Sequence, residues 1–154
     1  MKILRTNSKN KDFINLVKEL DAYLKITDED EHDFYNQFNN LDVLKEVVVF
    51  YATSPENATE VAVGCAAIKK FDATTVEIKR MYVTPSKRGS GIAQKLLQEL
   101  ATWAKELGYK KSILETGIRQ IEAVKFYHKC EYKVIENYGQ YKGMVNSLCF
   151  EKII

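Results

Sequence analysis

The chain is poor in the residues that fix small folds by cross-links or metals. Its 154 residues hold three cysteines, Cys65, Cys130 and Cys149, and two histidines, His32 and His128. An odd cysteine count without a C-x-x-C pair argues against a disulfide framework, and so few soft ligands argue against a metal site. Charge of one sign is also lacking. Lysine and arginine number 23 against 21 aspartates and glutamates, a net of +2, far from the basic footprint of a nucleic-acid binder. Any anion must therefore be held by a locally built site. The amino end, MKILRTNSKNKD, has one short apolar patch before it turns polar, the pattern of neither a signal peptide nor a membrane anchor. A reducing, cytoplasmic setting is the expectation.

Repeats, low-complexity tracts and linkers are missing too, so residues 1–154 read as a single domain. Hydrophobic residues make up 45% and charged residues 29%, the balance of a chain with an ordinary core. Ile3–Arg5 predicts a short strand. Phe13, Leu16, Val17, Leu20 and Leu24 recur at helical spacing over Lys11–Leu24. The acidic run Asp28–Asp33 would open a second helix carrying Phe34, Tyr35 and Phe38, since negative charge favours a helix amino end. Glu46–Ala52 and Val61–Ile68 are β-rich runs around the turn-like SPENATE, which predicts neighbouring antiparallel strands. Thr75–Val83 is a third strand. Ile92–Leu107 carries the widest apolar stripe, Trp103 included, and Gly108 ends it. Ser112–Thr116, a helix over Ile121–Lys129, and strands at Tyr132–Ile135 and Ser147–Ile153 complete the order. This succession predicts an α+β fold: a mixed, mostly antiparallel central sheet of six to seven strands flanked by helices.

With two prolines and seven glycines in all, a glycine cluster carries information. In VEIKRMYVTPSKRGSGIAQKLL a strand runs into Arg88-Gly89-Ser90-Gly91, and that turn opens the long helix. Small residues let backbone N–H groups converge, and the helix end adds unpaired N–H groups with a positive dipole. Lys87 and Arg88 add charge. Such a turn can hold a phosphate or pyrophosphate. A dinucleotide fingerprint would need a third glycine where Gln94 stands, and no G-x-x-x-x-G-K-[ST] loop exists.

Arg88-Gly89-Ser90-Gly91-Ile92-Ala93 resembles the R/Q-x-x-G-x-G/A signature of the GNAT superfamily of acetyl-CoA-dependent N-acetyltransferases. The preceding EIKRMYV and the later Gln120-Ile-Glu-Ala-Val-Lys-Phe-Tyr127 resemble that family's central strand and acetyl-transfer helix, and the likeness covers about Val61–Tyr132. The resemblance implies a strand, with Met81 and Val83, that splays from its parallel neighbour and leaves backbone groups to pair with the pantetheine arm. It implies an oxyanion donor in the Met81 N–H, and a pyrophosphate cradle in the N–H groups of Arg88, Gly89, Ser90, Gly91, Ile92 and Ala93. It places Glu77 at the position of the general base, sharing a face with Lys79 and Met81 by strand alternation. Tyr127 matches the tyrosine that protonates the departing thiolate. Gln120 stands where an asparagine often contacts the coenzyme. Glu131 replaces a common glycine, and since a left-handed turn strains glutamate, the local turn is expected to differ.

The implied function is acetyl transfer from acetyl-CoA to a primary amine by direct attack, without metal, nucleic acid or membrane partner, in a possible homodimer. The alternative is a non-catalytic acetyl-CoA sensor or interaction module. His32 and His128 are too isolated to be metal ligands, Cys65 reads as core, and Cys130 packs inward. Glu115, Thr116, Phe34, Tyr35 and Tyr141 read first as ordinary sheet or surface residues, and only second as a border to the acceptor.

Overall fold

The computed structural model describes residues 1–28 and 43–154. Seven strands form one sheet: β1 (Lys2–Thr6), β2 (Glu46–Thr53), β3 (Glu60–Lys70), β4 (Thr75–Val83), β5 (Lys111–Gly117), β6 (Lys133–Ile135) and β7 (Ser147–Ile153). Their spatial order is β1-β2-β3-β4-β5-β7-β6. Among the described residues three α-helices flank it: α1 (Lys11–Asp28), α2 (Ile92–Glu106) and α3 (Ile121–Lys129). The expected mixed, mostly antiparallel sheet is therefore present with seven strands. Asp28 is the last described residue of α1; the rest of the acidic run, and Phe34, Tyr35 and Phe38, lie outside the described residues. Among the described residues no helix is long and apolar enough to cross a membrane.

Helices on both faces explain the unbroken apolar runs. Val47 and Val49 face α1, where Phe13, Leu16, Val17 and Leu20 meet Cys65, Ala67 and Tyr82. Val48 and Phe50 face the other way, against Ile92, Leu96, Leu97 and Leu100 of α2 and Tyr127 of α3. A strand buried on both sides has no polar face to alternate. Cys65 lies in this core, as expected, its thiol pushed up in pKa chiefly by burial. Trp103 is only half-buried at the edge, with the Arg5 guanidinium 5.0 Å from its ring centre. Asn10 caps α1 by accepting the Phe13 N–H at 2.9 Å.

Every strand pairing is antiparallel except one. β4 and β5 run parallel, and they pair only where Thr75, Val76 and Glu77 lie opposite Lys111, Ser112 and Ile113. Beyond Glu77 they separate. Just past that point β4 carries a bulge: Cys65 lies opposite Tyr82 and Ala67 opposite Lys79, so Arg80 and Met81 together face Ala66. Arg80 sits in the left-handed region at φ +57°, and an extra residue of this kind reverses side-chain alternation beyond it. Glu77 and Lys79 stay on the α1 face. Met81 packs against the opposite core, which corrects the expectation that it shares their face.

Gly64 lets α2 approach the sheet. A Cβ there would lie 3.1 Å from Ile92 Cγ2, 3.2 Å from Leu96 Cδ1 and 3.3 Å from the Tyr82 carbonyl oxygen. Gly64→Val is expected to cost about 1–3 kcal/mol of stability through overpacking. Urea denaturation checks this, and an unchanged midpoint would show that α2 is not held so closely.

Candidate active site

Where β4 and β5 part, a cleft of about 760 Å³ passes through the sheet. Leu20, Tyr23 and Leu24 of α1 line one side, and Ala123, Phe126 and Tyr127 of α3 line the other. Met81 and Val83 border it along the edge of β4, where β5 no longer supplies strand partners.

At one end lies the glycine turn. Gly89 at φ +80° and Gly91 at φ +84° are left-handed, and a Cβ on either would meet nothing within 4 Å. The first helical bond of α2 runs from the Lys95 N–H to the Gly91 carbonyl at 3.1 Å, so the N–H groups of Ile92, Ala93 and Gln94 have no helical acceptor. No acidic side chain in that first turn competes for them. Ser90 Oγ donates to the Lys87 carbonyl. Arg88 is held inward. Its N–H donates to the Pro85 carbonyl at 3.3 Å and its Nε to the Val83 carbonyl at 2.9 Å. The guanidinium lies 5.6 Å from the ring centres of both Tyr23 and Tyr82.

On the α1 face the cleft contains a buried polar cluster. Glu77 is 4% exposed. The Tyr138 hydroxyl donates to its Oε2 at 2.6 Å, and Lys79 Nζ lies 3.4 Å from the same oxygen. Lys79 also donates to the Tyr141 hydroxyl at 3.2 Å. The Tyr138 and Tyr141 rings meet edge to face, 5.6 Å apart. Asn137 Nδ2 fixes the segment that carries them by donating to the carbonyls of Met144 at 2.8 Å and Ser147 at 3.2 Å. Burial, together with the charge of Glu77 at Tyr138 and of Glu115 and Glu77 at Tyr141, pushes both phenols well above the ordinary tyrosine range, so they remain protonated. Burial pulls Lys79 below the usual lysine pKa, while Glu77 and Glu115 push it back. Glu115, Thr116 and Tyr141 all line the cleft, which overturns their first reading as ordinary sheet or surface residues.

Apolar packing dominates the opposite face. Tyr127 is 6% exposed, wedged among Phe126, Tyr132 and Phe150 with ring centres 5.3, 5.8 and 5.9 Å away. Its hydroxyl makes no hydrogen bond among the described residues, and burial raises its pKa. Gln120, at the start of α3, is 8% exposed, and its Nε2 is buried without a hydrogen-bond partner. A buried donor left so is costly unless something fills the cleft beside it. At the other end of α3 Glu131 adopts φ +69°. The left-handed turn is thus kept despite its cost to glutamate, because the Glu131 N–H donates to His128 and the Tyr132 N–H to Tyr127, each at 3.0 Å. His128 is exposed and lies outside the cleft; His32 lies outside the described residues. Among the described residues no three His, Cys, Asp or Glu side chains gather to hold a metal.

A family model described as Acetyltransferase (GNAT) family matches residues 13–132. The chain belongs to the GNAT acetyltransferases. It is 29% identical over 143 residues to an IAA acetyltransferase of Azospirillum brasilense, covering 90% of this chain and 88% of that one. A crystal structure described as a putative acyl-CoA N-acyltransferase from Klebsiella pneumoniae superposes with a TM-score of 0.78 at 27% identity, over 99% of this chain and 96% of that one. A GNAT acetyltransferase from Elizabethkingia anophelis with acetyl-CoA bound has the same fold, with a TM-score of 0.67 at 17% identity over 99% and 97% of the two chains.

Within this acetyltransferase, Tyr138 and Lys79 were not singled out by the sequence as partners of Glu77. Tyr138→Phe removes one of the two donors to a buried carboxylate, and is expected to cost about 1.5–3 kcal/mol of stability. Thermal denaturation beside Tyr109→Phe checks it; equal losses in the two would mean the hydroxyl does not hold Glu77.

Proposed function

We propose that the protein moves the acetyl group of acetyl-CoA to a primary amine by direct attack in a ternary complex. The observation that carries this reading is a single gap with Glu77 opening into it from one face of the sheet and Tyr127 from the other. The gap fits the coenzyme: orphaned N–H groups, open space over two glycines and an unpartnered Gln120 amide all lie along it.

Bound there, acetyl-CoA supplies the acetyl group and leaves as its thiol. The chain does the rest. N–H groups from Gly89, Ser90, Gly91, Ile92 and Ala93 hold the pyrophosphate, while Arg88 anchors the turn that presents them. Met81 and Val83 offer backbone groups to the pantetheine arm, and Gln120 Nε2 donates to one of its carbonyls. The Met81 N–H stabilises charge on the carbonyl oxygen under attack.

An amine of pKa about 10.4 is neutral in roughly one molecule in 2,500 at pH 7. Glu77 takes its proton from the α1 face; Oε2 is held by Tyr138 and Lys79, so Oε1 is the oxygen for the task. Tyr127 protonates the departing sulfur, whose own pKa resembles cysteine at about 8.5. Burial raises the Tyr127 pKa and so keeps the phenol protonated until the thiolate forms. Direct attack is favoured because Cys130, half-buried beside the cleft, has its thiol pushed up by burial and is a weak nucleophile. The three cysteines are free, in keeping with the cytoplasmic setting that we infer.

Calorimetric titration with acetyl-CoA, beside NAD and ATP, tests the cleft. Selective binding that disappears in folded Gly91→Glu is the expected outcome, and a wild-type protein that binds no acetyl-CoA would remove the proposal. Binding without thiol release on any amine would leave a sensor.

Tyr127→Phe and Glu77→Gln are each expected to lower kcat by a factor on the order of 10²–10⁴, with acetyl-CoA affinity nearly intact. The Glu77→Gln deficit shrinks as pH rises toward the amine pKa, because a neutral amine needs no base. An unchanged kcat would remove the role of the residue replaced.

A further inference from the structure

Tyr138 stands behind the general base rather than beside the reacting groups. It does not line the cleft, yet its hydroxyl donates to Glu77 Oε2 at 2.6 Å. That is the short range of an O–H donor on an ionised carboxylate. Lys79 Nζ reaches the same oxygen only at 3.4 Å, longer than an ordinary N–H donor bond, and it also donates to the Tyr141 hydroxyl. Tyr138 therefore holds Glu77 more tightly than Lys79 does.

The tyrosine is itself held from several sides. Its ring meets Phe71 edge to face at 5.3 Å and Tyr141 at 5.6 Å. Asn137, its neighbour in the chain, is fixed through Nδ2 to the Met144 and Ser147 carbonyls. Burial, with the charge of Glu77, pushes the phenol up in pKa, so its proton stays in place to be donated. Phe71 follows β3, and Tyr138 lies between β6 and β7. Two distant parts of the chain thus meet behind one side chain of β4.

This arrangement fixes the plane of a carboxylate. The last torsion of a glutamate is broad and two-fold, so an untethered Glu77 would offer either oxygen over a range of angles. The two contacts on Oε2 break that symmetry and leave Oε1 for the amine. We propose that Tyr138 is a positioning residue for acetyl transfer, its hydroxyl holding Glu77 so that Oε1 is presented to the acceptor. This rests on the reading of Glu77 as general base and adds the group that aims it. A base must lie within hydrogen-bond reach of the proton it takes, and a misplacement of about 1 Å can cost on the order of 10²-fold in rate.

Thiol release is measured at pH 7 with the best acceptor of a primary-amine panel that includes phenethylamine, spermidine and L-leucine. Wild type, Tyr138→Phe, Glu77→Gln and the double variant form a cycle. Tyr138→Phe keeps the ring that packs on Phe71 and Tyr141 and removes only the hydroxyl. Its kcat is expected to fall by about 10- to 100-fold, and kcat/KM for the amine with it, while the KM of acetyl-CoA stays within about twofold because Tyr138 lies outside the cleft. In the Glu77→Gln background the same replacement should change kcat by less than about twofold, since no base is left to aim. Asn137→Ser keeps the hydroxyl but loosens its segment. It should lower kcat by about 3- to 10-fold, again only where Glu77 is present, and it carries the test if Tyr138→Phe does not fold.

Equal fractional losses in the two backgrounds mean a structural role alone and overturn the inference. So does a wild-type kcat in Tyr138→Phe when Glu77→Gln has lost activity, and that result leaves Glu77 standing as the base. A wild-type kcat in Glu77→Gln removes the base itself and this inference with it. Thiol release on no amine, in a protein that binds acetyl-CoA, leaves a sensor and removes both.

Discussion

Everything at the site depends on one failure of strand pairing. β4 and β5 hold together for three residues each and then part, opening a layer that a sheet normally seals. Such an opening costs backbone hydrogen bonds, and the structure concentrates that cost where a ligand can offset it. The bulge at Arg80 belongs to the same arrangement. A left-handed arginine is unfavourable by about 1–3 kcal/mol, and it persists because its surroundings hold it: the guanidinium pairs with Asp21 of α1, and the Cys65 thiol donates to its carbonyl at 3.4 Å.

The bulge lets one strand serve two faces. Before it, Glu77 and Lys79 point toward α1; after it, Met81 points toward α2 and α3. Polar and apolar chemistry are thereby separated by the thickness of the sheet. Ionised groups collect on one side, paired and hydrogen-bonded as buried charges must be, while the other side offers Tyr127 among aromatic rings. In the mechanism we propose, this separation lets the Glu77 acceptor and the Tyr127 donor work on one ligand without neutralising each other.

How far the sequence announces this can be traced residue by residue. EVVVFYA and VAVGCAAI are apolar without alternation, and that alone signals strands covered on both sides. The turn at Gly89 and Gly91 is legible because only glycine adopts such φ values freely. The bulge is not legible, because arginine is no left-handed residue by preference and nothing in EIKRMYV marks Arg80. Glu131 hides a left-handed turn for the same reason: the two hydrogen bonds that fix it come from the folded end of α3. Tyr138 meets Glu77 across 61 positions of chain, and no local pattern in NYGQY points to a carboxylate on a strand so distant. Propensity is local, whereas the pairing of a buried charge is settled by topology.

Arg88 answers to propensity and topology together. Its place in the glycine turn suggests a cation offered to phosphate, yet its side chain is held by the Val83 carbonyl and lies against Tyr23 and Tyr82. A guanidinium over two aromatic faces gains about 0.5–2 kcal/mol per contact, depending on desolvation, and here the contacts tie the turn to α1. Tyr23 is also a wall of the cleft on the acceptor side. The glycine turn, which we propose holds the pyrophosphate, and the helix that bounds the gap therefore share one anchor. Arg88 thus couples the placement of the turn to the placement of α1.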